Sequence, residues 1–208
     1  MRMVAKSIPD IVVARLPLYL RALADMQSRG AQYTSSQALG ACLGISSAQI
    51  RKDLSHFGEF GKQGTGYSVE ELQTRLRQIL RIEKEWPVVI IGAGQIGRAL
   101  AAYPGFAHRG FLVHGIFDSD AARIGDLVGS QQVQHVDALA DVIRSAKVRI
   151  AMIAVPAQSA QLVADQLVSY GIVALLNYAP IALNIPASVR VENIDPVLHL
   201  QHMTYYLD

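Results

Sequence analysis

Two kinds of hydrophobic spacing divide the chain. Over residues 1–84, apolar positions recur at steps of three and four, which is typical of helices that bury one face. Beyond residue 85, short continuous apolar runs such as Val88–Ile91 alternate with helical stretches such as Ala157–Ser169. Continuous runs are typical of buried parallel strands, and their alternation with helices predicts a parallel sheet covered on both faces. The pattern therefore predicts an α/β domain behind a helical one.

The front region begins with a helix predicted from Pro9 to Ser28, which Pro17 should kink or split. Its apolar face would consist of Val13, Leu16, Leu20 and Leu23. Three further helices are predicted where a hydroxyl residue is followed three positions later by Gln or Glu, which is the pattern of a capping box. These segments are Thr34–Gln37, Ser46–Gln49 and Ser68–Glu71.

The helix predicted from Ser47 to Phe57 follows a short turn at Leu43–Ile45 that contains a glycine, a spacing typical of helix-turn-helix units. Ile50, Leu54 and Phe57 would face inward, which leaves polar side chains outside. Side chains of these types donate to base edges and phosphates in DNA. The candidate DNA contacts are Ser47, Gln49, Arg51, Lys52, Ser55 and His56.

The segment from Gly58 to Tyr67 is rich in glycine and predicts a tight hairpin, which directly after a recognition helix forms a wing. Lys62 at its tip is a further candidate DNA contact. Residues 1–86 hold 12 Lys and Arg against 8 Asp and Glu, whereas residues 87–208 hold 7 against 9. The front is therefore the half suited to a polyanion, although a head that serves only for dimerisation is an alternative.

The run Trp86–Ile91 leads into a Gly-x-Gly-x-x-Gly turn, which indicates a Rossmann-type dinucleotide-binding domain. The candidate cofactor contacts in this turn are Gly92, Ala93, Gly94, Gln95, Ile96 and Gly97. Asp118 ends the next predicted strand, 21 residues beyond Gly97. Since a carboxylate near this spacing binds ribose hydroxyls and repels a 2′-phosphate, it favours NADH and NAD⁺ over the phosphorylated cofactors.

Further strands are predicted at Val148–Val155, Ile172–Leu176 and Val189–Val191. In the helix at Ala157–Ser169, the side chains expected to face inward are Leu162, Val163 and Leu167. Ligands bind beyond the carboxyl ends of parallel strands. Cofactor contacts are therefore expected at Pro156 and Asn177, and a further one at Tyr103, which follows the helix after the glycine turn and is placed on the nicotinamide side. A final apolar helix is predicted from Pro196 to Leu207, with Asp195 as its N-cap.

Several function classes lack support. No catalytic residue is evident, and His199 and His202 have no third ligand, so neither an enzyme nor a metal site is expected. The lone Cys42 fits a reducing cytoplasm, and no apolar run is long enough for a membrane helix. A small NAD-dependent dehydrogenase with an accessory head and a CoA- or nucleotide-binding subunit remain alternatives.

The assembled motifs resemble the bacterial Rex family of redox-sensing transcriptional repressors. The stretches that carry the resemblance are Arg15–Tyr19, Gln49–Gly58, Gly92–Gly97, Tyr103–Phe106, Leu175–Pro180 and Val191–Asp195. The resemblance implies a homodimer that binds inverted-repeat operators on double-stranded DNA when NADH is scarce and leaves them when NADH binds. It also implies three regions: a winged-helix domain at 1–84, a Rossmann domain at 85–192 and a C-terminal helix at 193–208, swapped between subunits.

The resemblance further implies an allosteric relay of Arg21, Tyr103 and Asp195, in which Arg21 and Tyr103 compete for the Asp195 carboxylate. Relatives often carry Phe or Leu directly after this aspartate, near the nicotinamide. This chain has Pro196 there. The way in which its last helix senses the reduced ring is therefore expected to differ.

Overall fold

The computed structural model describes residues 8–61 and 66–207. The chain divides into two compact units, Met1–Glu83 and Lys84–Asp208. The first unit has one buried apolar cluster, which includes Leu16, Leu54 and Leu76, and the second unit has two, one on each face of its sheet.

The first unit is a helical bundle with a small antiparallel sheet, which is not the hairpin predicted within Gly58–Tyr67, because it pairs residues 33–34 with residues 67–68. Its two strands pair Tyr33 with Ser68 and Thr34 with Tyr67. Residues 62–65 lie outside the described part of the chain, and the predicted contact Lys62 is among them. The elements of this unit are α1 (Asp10–Ser28), β1 (Tyr33–Thr34), α2 (Ser36–Leu43), α3 (Ser47–Ser55), β2 (Tyr67–Ser68) and α4 (Val69–Ile79).

Helix α1 runs through Pro17 without interruption, so the expected split does not occur. Its buried residues are Val12, Leu16, Tyr19 and Leu23. The predicted face was therefore wrong at Val13, which is exposed, whereas Leu20 is half-buried and packs against the core. Tyr19 was not predicted on this face, and its hydroxyl group has a buried partner in Asp53.

The predicted capping residues begin two of the helices. The Ser46 hydroxyl accepts from the backbone N–H of Gln49, and that of Ser68 accepts from Glu71. At α2 the cap is Ser35, which accepts from Ala38, so the prediction that placed the capping box one residue earlier was wrong. A left-handed Gly44 (φ 67°) ends α2 and allows the sharp turn into α3.

The second unit is a mostly parallel α/β layer structure. In its described part, seven strands form one sheet in the order β5-β6-β4-β3-β7-β8-β9, in which only β5 is antiparallel to its neighbour. The strands are β3 (Trp86–Ile91), β4 (Phe111–Asp118), β5 (Leu127–Val128), β6 (Gln131–His135), β7 (Ile150–Ile153), β8 (Ala174–Asn177) and β9 (Arg190–Asn193). The helices are α5 (Gln95–Ala101), α6 (Leu139–Ser145), α7 (Ala157–Ser169) and α8 (Pro196–Thr204).

Helix α7 has the predicted bounds, and its predicted inner face is correct at Leu167 and Val163 but wrong at Leu162. Ala160, Ala164 and Leu167 are buried, whereas Leu162 is 64% exposed. Two of the buried residues therefore have small side chains, and Leu162 lines the cleft described below.

Helix α8 begins as predicted, with Asp195 as its N-cap and Pro196 in its first turn. It buries none of its residues, although much of its surface is apolar. The exposed apolar side chains of this segment are Val197, Leu198, Leu200, Met203, Tyr205, Tyr206 and Leu207. An apolar surface of this extent is typical of a helix that packs against a partner.

Candidate functional sites

A cleft of about 640 Å³ lies at the carboxyl ends of the central strands of the second unit. The ends of β3, β4 and β7 form its floor, at the position where sheets of this type bind ligands. Its lining includes six of the predicted cofactor contacts, Gly92, Gly94, Gln95, Ile96, Asp118 and Pro156. Tyr178 and Pro180, which follow β8, also line the cleft.

The three glycines of the turn are required for two different reasons. A Cβ atom on Gly92, which has a φ of 102°, would overlap the carbonyl oxygen of Ala154, and one on Gly97 would overlap that of Gly92. Both residues are therefore required by the packing of the turn itself. At Gly94 a Cβ atom would meet nothing within 4 Å, because this residue faces the open cleft. That space, beside the free N–H groups at the start of α5, fits a pyrophosphate.

Asp118 is buried at the end of β4 and ties this edge of the cleft together. Its Oδ2 accepts from the backbone N–H of Ala93 at 2.6 Å and from Arg123 at 3.0 Å, and its Oδ1 accepts from the N–H of Asp120 at 2.9 Å. Burial alone would raise the pKa of this carboxyl. The two backbone N–H groups and Arg123 outweigh burial and hold the pKa below its ordinary value.

Ala93 and Gly97 shape the turn without lining the cleft. Both are buried, and Ala93 contributes its N–H to Asp118. Its carbonyl oxygen accepts from Arg98 at 2.9 Å, and the Arg98 guanidinium is also paired with Asp126. The turn is therefore held in shape by side chains from both of its flanks.

Two more predicted cofactor contacts do not line the cleft. Asn177 is fully buried, and its amide nitrogen donates to the carbonyl oxygens of Ala179 and Ile181 and to Asn193. It shapes the loop that carries Tyr178. Tyr103 lines a separate cleft of about 540 Å³, where its ring packs edge-on against Phe106. Neither Asn177 nor Tyr103 therefore lines the candidate cofactor cleft.

Helix α7 supplies cleft residues that were not predicted. Ser159, Leu162, Val163 and Gln166 all line the cleft. Pro156 in the sequence could have indicated these residues. It marks the start of a helix at the carboxyl end of a strand, and the first turns of such a helix border the cleft.

In the first unit, α3 has the features of a recognition helix. Ile50 and Leu54 are buried, while Arg51, Lys52 and Ser55 are exposed. The predicted contacts Ser47, Gln49 and His56 are half-buried. Lys52 therefore presents its cation to solvent, and Arg51 does so while donating to the Ser36 hydroxyl at 3.0 Å.

A buried polar cluster lies behind this helix and was not predicted. The Asp53 carboxylate is fully buried and accepts from both Arg15 (2.6 and 2.8 Å) and the Tyr19 hydroxyl (2.6 Å). It also accepts from the side-chain amide of Gln49 at 2.7 Å. A complete capping box requires the Gln49 side chain to reach back to the backbone N–H of Ser46. Here it reaches forward to Asp53 instead. The cluster joins α1 to α3 through charge-assisted hydrogen bonds.

The three proposed relay residues lie on separate elements. Arg21 is exposed on α1 of the first unit, and Tyr103 follows α5 in the second. Asp195 is half-buried and caps α8 by accepting from the N–H of Val197 at 2.9 Å. In residues 8–61 and 66–207, no group of three or more His, Cys, Asp or Glu side chains is arranged to hold a metal ion. No helix in the same residues could cross a membrane.

Two family models match the chain. A model described as a putative DNA-binding protein N-terminus matches residues 7–55, and one described as a CoA binding domain matches residues 83–181. The two matches fall on the helix-turn-helix region and on the sheet with the glycine turn.

Curated relatives match nearly the whole chain. A protein of Roseiflexus sp. (strain RS-1) named redox-sensing transcriptional repressor Rex is 48% identical over 96% of this chain and 90% of its own length. One of the same name from Streptomyces coelicolor is 44% identical over 97% of this chain and 78% of its own length.

Solved structures agree with these relatives. RSP in complex with β-NAD⁺ and operator DNA has a TM-score of 0.91 and 38% identity, covering 97% of this chain and 94% of that one. RSP in complex with β-NADH has a TM-score of 0.88 and 36% identity, covering 97% and 95%. RSP is described as a Rex-family repressor.

Proposed function

The chain belongs to the Rex family of redox-sensing transcriptional repressors, and from this premise we propose that it occupies inverted-repeat operators while NADH is scarce and leaves them when NADH binds. It is a regulator that senses NADH and NAD⁺, not an enzyme. The observation that carries the proposal is the presence, in one chain, of an exposed basic recognition helix and a dinucleotide cleft. The cytoplasm is the proposed location, since a repressor acts where the chromosome lies.

The cleft residues fit a dinucleotide. Gly94 leaves room for the pyrophosphate, and Asp118 retains acceptor capacity on Oδ1 for a ribose hydroxyl. Arg123 pairs with both Asp118 (3.0 Å) and Asp120 (3.3 Å), so its charge is already balanced and offers little to a 2′-phosphate. These contacts support NAD(H) over NADP(H). When bound, the nicotinamide supplies the signal, because its ring is cationic when oxidised and neutral when reduced.

The exposed apolar surface of α8 supports a homodimer. A helix that buries no residue of its own is stabilised when its apolar side chains pack on a partner. A swapped arrangement, in which α8 of one subunit docks on the other, gives these side chains such a surface.

The central test is a gel shift on an inverted-repeat duplex with the full chain. We expect a retarded complex that saturating NADH removes and the same concentration of NAD⁺ does not, because only differential affinity for two arrangements can shift the population. A complex that persists at saturating NADH would contradict the proposal.

The Gly94→Ala variant tests the cleft. We expect NADH affinity to fall about tenfold or more, since the added methyl group occupies the space beside the pyrophosphate. The thermal midpoint should stay near that of the wild type, because nothing lies within 4 Å of the new atom. Gly97→Ala is the contrast: its Cβ overlaps the Gly92 carbonyl, so the midpoint itself should drop. Calorimetric titration measures the NADH affinity, and a thermal melt measures the midpoint. A folded Gly94→Ala variant with unchanged NADH affinity would exclude this cleft as the NADH site.

The double variant Arg51→Ala/Lys52→Ala tests the DNA face. We expect DNA affinity to fall by about 100-fold and the salt dependence to weaken, because both exposed cations are lost from α3. NADH binding and the dimer should persist. Arg77→Ala removes an exposed cation from α4 and is the matched control. Fluorescence anisotropy at several salt concentrations measures the effect, and equal affinity of both variants would favour a head that serves only for dimerisation.

A further inference from the structure

Gln49 occupies the third position of α3, in the first turn of the candidate recognition helix. In helix-turn-helix proteins the N-terminal part of this helix meets the base edges. Gln49 is not free to reorient, because its amide nitrogen donates to Oδ1 of Asp53 at 2.7 Å. Residues four apart lie on one helix face, which makes this contact local to α3.

The state of Asp53 decides which end of the Gln49 amide faces it. The carboxylate accepts four hydrogen bonds from described residues, two on each oxygen, and two of them come from the Arg15 guanidinium. These bonds hold its pKa below the ordinary value even though burial alone would raise it. An ionised carboxylate can only accept hydrogen bonds. The amide nitrogen of Gln49 must therefore face Asp53, and the amide oxygen is the end left for another partner.

We propose that Asp53 holds the Gln49 amide so that its oxygen accepts a hydrogen bond from the exocyclic amino group of one base in each half-site, either N6 of adenine or N4 of cytosine. The inference rests on the proposed function, since it assumes that α3 enters the major groove. Asp53 is a positioning residue here, and Gln49 is the residue that contacts the base.

The fixed amide would discriminate by repulsion as well as by attraction. Adenine and cytosine present an amino group in the major groove where guanine and thymine present O6 and O4. An amide that could turn over would accept from the first pair and donate to the second. Since Asp53 prevents this reversal, Gln49 should reject guanine and thymine at its position.

The experiment uses the full chain without NADH and the tightest duplex selected from a library randomised around an inverted repeat. Each adenine in a half-site is replaced in turn by the purine nucleotide that lacks the N6 amino group, and each cytosine by the 2-pyrimidinone nucleotide that lacks N4. We expect one position per half-site at which removal of the amino group lowers wild-type affinity about tenfold.

Three variants assign that position. Gln49→Met keeps the length of the side chain without its polar atoms, and it should bind the duplexes with and without the amino group equally. Gln73→Met, at a half-buried position of α4, is the matched control and should keep the wild-type ratio. Tyr19→Phe removes one hydrogen bond to Asp53 but not the one from Gln49, so it should keep the ratio too.

Asp53→Asn tests the orientation itself, because an asparagine amide can face Gln49 with either end. In a folded Asp53→Asn variant, guanine or thymine at the assigned position should become tolerated. If that variant does not fold, the Gln49→Met ratio alone decides.

The inference fails if Gln49→Met keeps the tenfold ratio, or if it loses affinity equally for every duplex, as a phosphate contact would. It also fails if a folded Asp53→Asn variant still rejects guanine and thymine. A wild-type protein that binds no selected duplex would instead overturn the proposed function, whereas NADH-sensitive binding with an unchanged Gln49→Met ratio would overturn only this inference.

Discussion

The Asp53→Ala variant is expected to lose about 3 to 5 kcal/mol of the free energy of unfolding of the front unit, because the change leaves charged and polar partners of a buried carboxylate without an acceptor. The Tyr19 hydroxyl is fully buried, and the Arg15 side chain is 20% exposed, so neither group can fully regain water. A domain of this kind is stable by only about 5 to 15 kcal/mol, so the loss removes a large part of the total. Urea denaturation of the full chain followed by circular dichroism measures it.

Tyr19→Phe is the control for this prediction. It deletes one donor to Asp53 and keeps the pair with Arg15, so it should cost only about 1 kcal/mol. Equal losses in the two variants would show that the hydrogen bond from Tyr19, and not the unpaired charge of Arg15, explains the effect.

The same carboxylate sets a pH dependence. The pKa of folded Asp53 is lowered, while an unfolded aspartate titrates near about 3.9. Its contribution is therefore fully present above about pH 4 and is lost as the pH falls through the folded pKa. The stability difference between the wild type and Asp53→Ala should narrow below about pH 4. A difference that is constant with pH would contradict the charge-based explanation.

The Asp53 cluster also shows where prediction from the sequence ends. Asp53 lies three residues after Ile50 and one before Leu54, on the inner side of α3, where a charged residue is unusual. That position was a usable signal. Its partners, however, lie 38 and 34 residues earlier on α1, and no local pattern links them to α3.

The dinucleotide turn was predictable because its chemistry is local. Three glycines at fixed spacing, a preceding apolar strand and an acid after the next strand are all visible along the chain. Strand β6 and helix α6 were not predicted. In β6 only Val133 is buried and its neighbours are mostly glutamine, while α6 is a single pair of turns that buries Leu139 and Ile143. Short elements with one or two buried residues carry no visible period.

The inner face of α7 was predicted only in part, for a related reason. Leu167 is buried and Val163 packs against the core as predicted, whereas Leu162 is exposed. Ala160 and Ala164, which the periodicity of large apolar residues does not select, are buried. Which residues face the sheet depends on how the helix packs on the whole layer, and the local sequence does not encode it.

The Asp195→Ala variant is expected to bind NADH almost as tightly as the wild type and yet remain on the operator at saturating NADH. In the proposed relay, the Asp195 carboxylate exchanges between Arg21 and Tyr103 as the arrangement of the heads changes. A wild-type shift from 1:99 to 99:1 needs about 5.5 kcal/mol of differential affinity, so a broken relay would cost up to about 10⁴-fold in coupling. Calorimetric titration measures the affinity for NADH, and fluorescence anisotropy with labelled operator DNA, with and without NADH, measures the release from DNA.

Asp195 also caps α8, and this second role has to be separated from the relay. Asparagine is as good an N-cap as aspartate, so Asp195→Asn keeps the bond from the Val197 N–H but loses the charge. If the charge carries the signal, Asp195→Asn should be as uncoupled as Asp195→Ala. Restored coupling in Asp195→Asn would mean that the cap, through the position of α8, is what matters. Glu192→Gln removes a nearby exposed carboxylate that pairs with Arg190, and it should respond to NADH as the wild type does.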